Sequence, residues 1–147
     1  MRIVTAIILS AALLAAPVLL ASTASAREAW NQATVTALAK ELADATKALK
    51  STIRKEPNLR DAYREGDPVL MRYADAINGI ARSARQLAEK LAGGAGYEET
   101  LGVAKKIDSL VREAEVQGAR IMTTVWMEEK LRPVENLLAR LGRYYFD

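Results

Sequence analysis

The side chains best suited to chemistry in this sequence are cations set close to rows of apolar residues. Arg82, Arg85, Arg120 and Lys130, with Glu129 beside the last, are the ones to consider. Several cations converging on an anionic small molecule can stabilise a transition state by electrostatics alone. A small exported enzyme of the mutase kind would work in that way, with these five residues as its site. An arginine at the edge of an apolar stripe also has a plainer use. Its alkyl stem covers the core and its head stays in water. Arg82 and Arg85 flank the stripe positions Ile80 and Ala84 in this manner, so the sequence favours no catalytic residue.

Other chemistry is narrowed by what is missing. The chain has no Cys and no His. That excludes disulfide scaffolds, thiol and imidazole catalysis, c-type haem attachment and the common zinc sites. A serine nucleophile would need Lys or a carboxylate as its base, and Ser83 and Ser109 sit in no motif. An all-carboxylate metal site would have to draw on Glu98, Glu99, Glu113, Glu115, Glu128 and Glu129. Di-iron bundles pair Glu with His, and Glu is the ordinary solvent-facing residue of a helix. Met71, Met122 and Met127 carry soft thioethers that suit cuprous copper. They form no Met-x-x-Met or Met-x-Met cluster and read as fillers of a helical core. No metal and no cofactor is expected.

The remaining signal is aromatic. Trp126, Met122 and Met127 surround Thr123-Thr124, and Tyr144, Tyr145 and Phe146 would join them if the last helix folds back. Together they would make a groove for a peptide or a partner helix. The plainer alternative has the rings capping the core. The expected function is therefore an exported, non-catalytic binding or adaptor protein whose partner is a protein, a peptide or a second copy. The alternatives are the electrostatic enzyme and a copper-handling bundle.

These residues must be positioned by a chain of 147 residues, half of them hydrophobic. Residues 1–26 differ from the rest. Arg2 is their only charge, an apolar run follows from Ile3 to Leu20, and Ala24 and Ala26 supply a small-x-small cleavage pattern. This predicts a signal peptide cleaved after Ala26 and a periplasmic protein over 27–147. Loss of Arg2 lowers the formal charge from +3 to +2, too balanced for a nucleic-acid binder. The segment from Leu131 to Tyr145 is amphipathic and carries Arg132, Arg140 and Arg143. Three arginines make membrane contact a secondary reading.

Apolar spacing predicts an all-α domain. A first helix spans 28–56 on Val35, Leu38, Leu42, Ala45, Leu49 and Ile53, and Pro57 stops it. Residues 57–67 connect, with Leu59 and Tyr63 anchoring a short helical turn. Asp67-Pro68 starts a second helix, whose row Leu70, Tyr73, Ile77, Ile80, Ala84, Leu87 and Leu91 keeps heptad rhythm. Gly93-Gly94-Ala95-Gly96 makes the next turn. A third helix runs from Tyr97 to about Lys130, because no loop signature interrupts it at Gly118. A phase change at Pro133 predicts a kink or a new helix start there, taken as a fourth, Pro-started helix. The result is an antiparallel bundle of three long helices plus this C-terminal one. The alternative breaks at Gly118 and gives four comparable helices in an up-down bundle.

Overall fold

The computed structural model describes residues 27–121 and 125–146, without the side chains of Asn58, Val125 and Trp126. The predicted leader, 1–26, lies outside the described residues, as do Met122, Thr123 and Thr124. Within them the chain is all-helical, with five helices packed against one another: α1 (Gln32–Lys55), α2 (Pro57–Arg64), α3 (Pro68–Ala92), α4 (Tyr97–Gly118) and α5 (Val125–Tyr145). No helix among these residues is long and apolar enough to cross a membrane.

Local chemistry explains most boundaries. Asn31 caps α1, its side chain accepting from the Thr34 amide at 3.0 Å. The helix therefore starts later than Glu28, and residues 27–31 form a lead-in. Pro57 ends α1 and opens α2, where a missing amide costs nothing. The connector is thus two full helical turns rather than one. Asp67 Oδ1 accepts from Val69 N at 2.8 Å and Leu70 N at 3.1 Å, so α3 begins where the sequence signals it. Gly94, at φ 90°, makes the left-handed step of the α3–α4 turn. Glu99 folds back on the Gly96 amide at 2.8 Å to cap α4.

Two expectations fail at the C-terminal third. The third helix stops at Gly118, short of Lys130, and tight bonds from Arg120 N to Gln117 O and Ile121 N to Gly118 O turn the chain. Gly118 packs its bare Cα on Tyr73, where a Cβ would stand 3.3 Å from the ring. Pro133 starts no helix but lies inside α5. The carbonyl it leaves without a helical partner belongs to Glu129. Both residues are exposed, which leaves that carbonyl within reach of solvent.

The core is the set of stripes the sequence shows. Leu42 and Leu87 are fully buried, and α5 contributes Met127, Val134 and Leu141 at seven-residue spacing. Helix α3 packs closely on both α1 and α4, and α5 lies on α1. Close approach of α4 to α3 depends on Gly79, above whose Cα the Leu110 methyls sit. Contact between α4 and α5 is sparse.

Candidate functional site

One end of the molecule is closed by rings. Trp30 meets Tyr97 and Tyr145 edge-on at 5.6 and 5.4 Å between centroids, and Tyr97 stacks on Tyr145 at 5.7 Å. The hydroxyls of Tyr145 and Thr100 share a 2.8 Å hydrogen bond. Gln32 donates to the Leu91 carbonyl in the last turn of α3 and to the Ala95 carbonyl in the α3–α4 turn, which ties the start of α1 to that turn. Arg27 lies over the Tyr97 ring at 4.3 Å, a cation–π contact. The Glu28 amide donates to the Arg143 carbonyl at 2.7 Å. The start of α1, the end of α3, the start of α4 and the end of α5 thus meet here. Burial pushes the Tyr145 hydroxyl above its ordinary pKa. Tyr144 is raised chiefly by its hydrogen bond to Glu28.

This arrangement divides the predicted aromatic groove. Met127 and Tyr145 stand on the same helix about 27 Å apart at ~1.5 Å rise per residue, both buried in the core. Met122 and the Trp126 side chain lie outside the described residues. Tyr144 and Phe146 are half-buried at the ring-closed end. The three residues of the C-terminal run therefore belong to a core cap, and no single surface gathers them with Met127.

The predicted cations are also dispersed. Arg82 and Arg85 lie on the exposed side of α3, Arg120 in the turn after α4, and Glu129 and Lys130 on the exposed side of α5. Helices α3 and α5 make no direct backbone approach among the described residues. Arg85 is 79 % exposed and engages Glu89 at 2.9 Å. The five residues do not converge on one cavity. Ser83 is buried. The six glutamates considered for metal bring no group of three potential ligands together among the described residues. Met71 is exposed on α3, far in environment from the buried Met127.

The structure instead opens a cleft that the sequence reading did not anticipate. Between α4 and α5 runs a seam with a cavity of about 380 Å³ walled by Leu131, Leu138 and Val111, with Tyr73 and Ile80 behind. It continues into a smaller hollow of about 90 Å³ toward Tyr145 and Phe146, with Val111 and Leu138 lining both. Its charged lining is entirely acidic among the described residues: Asp108 and Glu115 from α4, Glu128 and Glu135 from α5. Asp108 is held by Arg112 at 2.8 Å. The three glutamates form no ion pair among the described residues. Burial, then the Glu135 charge, raises the pKa of Tyr73. The signal for this seam was faint. Leu131 and Leu138 alternate with the fully buried Met127, Val134 and Leu141, which marks a second, looser row on α5.

No family model matches the chain, and neither a curated protein nor a solved structure matches it. The site must be read from its own chemistry.

Proposed function

We propose that this chain is an exported, non-catalytic binding protein, an up-down bundle of four long helices whose α4–α5 cleft receives a basic amphipathic helix of a protein partner. The observation that carries this reading is the seam itself. Three of the four helix-helix sides are closely packed, and the fourth is only sparsely closed among the described residues, apolar within and acidic at its rim. An open apolar seam between helices is the shape an amphipathic helix fills. The acidic rim selects lysine and arginine flanks and repels acidic competitors. Each leucine-sized side chain seated in the cleft contributes about 1.5–3 kcal/mol. The alternating helix directions at the ring-closed end support the up-down arrangement. The leader over residues 1–26 supports delivery to the periplasm.

A synthetic Leu/Lys amphipathic helix, titrated into the protein by calorimetry, tests this. It is expected to bind saturably at one site, and a Leu/Glu helix of the same pattern is expected not to bind. Glu128→Lys with Glu135→Lys should weaken binding at least tenfold, and Leu138→Glu should abolish it. Equal binding of both peptides, or indifference to all three changes, refutes the reading.

A further inference from the structure

The α1–α3 side carries a second groove of the opposite character. Lys47 and Lys50 of α1 face Arg82 and Arg85 of α3 across a floor of Ala43 and Ala81, around about 620 Å³ of open groove; Asp44 and Glu89 also line it, so cations outnumber carboxylates two to one. Toward α2 it runs into an apolar pocket of about 170 Å³, where Ile53, Leu59, Leu70 and Ile77 form the walls and Tyr63 the lip. Lys50 and Asn78 line both spaces, so they form one groove with a cationic stretch and an apolar end.

Its charges are largely uncommitted. Arg85 is paired with Glu89, and Arg60, at the pocket edge, with Asp61 at 3.3 Å. Lys47, Lys50, Arg54 and Arg82 have no carboxylate within ion-pair distance among the described residues. Lys47, Lys50 and Arg54 recur at spacings of three and four on α1, a like-charge row that costs a few tenths of a kcal/mol per pair. An anion on this row would relieve that repulsion. At the junction of the two spaces the Asn78 Oδ1 atom is buried and accepts no hydrogen bond from the described residues. A buried acceptor left unmet is unfavourable, so rotation of the Asn78 amide toward a donor group on a ligand in the groove would be favoured. Tyr63, 52 % exposed on the short helix α2, leaves the apolar end open.

We infer that this groove binds one anionic amphiphile as a monomer. Its phosphate or carboxylate head lies among Lys47, Lys50 and Arg82, and its apolar tail enters the pocket under α2. A hydroxyl or amide between them reaches Asn78. Basic side chains with an apolar pocket a few residues away match such a molecule in both charge and shape. The inference rests on different residues from the α4–α5 cleft and stands or falls separately.

Calorimetry of the purified protein with three probes tests it: octyl phosphate below its micelle-forming concentration, inorganic phosphate, and neutral octyl glucoside. Octyl phosphate is expected to bind one per chain, at least tenfold tighter than either of the others. Lys50→Glu with Arg82→Glu should weaken it at least tenfold, and Arg82→Glu alone, at an exposed position, should weaken it measurably if the double variant does not fold. Ala74→Leu, which fills the α2 pocket, should weaken octyl phosphate and leave inorganic phosphate unchanged. Glu135→Lys should leave octyl phosphate unchanged. Equal binding of inorganic and octyl phosphate would reduce the groove to a counterion site and overturn the inference. So would binding that survives every groove variant. Adsorption to phosphatidylglycerol vesicles without binding of monomeric octyl phosphate would overturn it as well.

Discussion

Tyr145 is the most exacting test of how this chain closes its bundle. It lies 3 % exposed, one residue from the end of the described chain, and touches Trp30, Tyr97 and Thr100. Tyr145→Phe removes one hydroxyl and keeps the ring. Thr100 retains its 2.7 Å bond to the Gly96 carbonyl, so no buried donor is stranded and the cost is about 1 kcal/mol. Tyr145→Ala removes the ring. Emptying an aromatic site costs ~3–5 kcal/mol, a range that includes much of the ~0.5–1.5 kcal/mol carried by each edge or stacked pair. A domain of this length holds about 6–18 kcal/mol in all. The alanine variant should therefore melt ~15 °C lower, at roughly 4 °C per kcal/mol. Urea unfolding followed by far-ultraviolet circular dichroism measures both variants. A double-mutant cycle with Trp30→Ala should return about 1 kcal/mol of coupling. If Tyr145→Ala costs less than about 1 kcal/mol, the ring cluster does not hold the ends of α1, α4 and α5 together, and the closed end is misread.

Three other outcomes follow from the same contacts. Tyr73 and Tyr145 have their pKa values raised, mainly by burial, so the folded state holds their protons longer than the unfolded chain does. Stability should be level below the ordinary tyrosine range near ~10 and fall as pH rises beyond it, less steeply in Tyr145→Phe, as alkaline urea titrations would show. At Gly79 an added Cβ would meet the Leu110 methyls at 3.0 and 3.1 Å. Gly79→Ala should stay within about 1 kcal/mol of the parent, because helix propensity offsets the crowding, and should stabilise by about 1 kcal/mol once Leu110→Ala has cleared the space. Asp67→Ala strands the amides of Val69 and Leu70 and should cost about 1 kcal/mol by thermal melting, with Asp67→Asn recovering most of it.

Residue order alone determined the helices wherever the signal was local. Helix α3 spans Pro68–Ala92 as read, because Asp67, Pro68, the heptad row and Gly93-Gly94 act through neighbours a turn away. The core leucines and isoleucines follow from the same periodicity, and the lack of Cys and His bounds the chemistry by composition. The break after Gly118 was ambiguous, since one glycine in a helix costs only about 1 kcal/mol. Packing against Tyr73 and two tight hydrogen bonds settle where the chain turns. Pro133 misled because a proline on an exposed helical face strands only a carbonyl that water can reach.

The two grooves could not be read in one dimension. Lys47 and Lys50 on α1, or Arg82 and Arg85 on α3, each look like a solvated face, and only the pairing of these helices sets them across one floor. Leu131, Leu138 and Val111 look like ordinary core until α5 settles on α1 and leaves its flank toward α4 open. A stripe shows that a face avoids water. Which neighbour covers it, and how tightly, depends on side-chain volumes from four helices at once, and that is decided only when they pack.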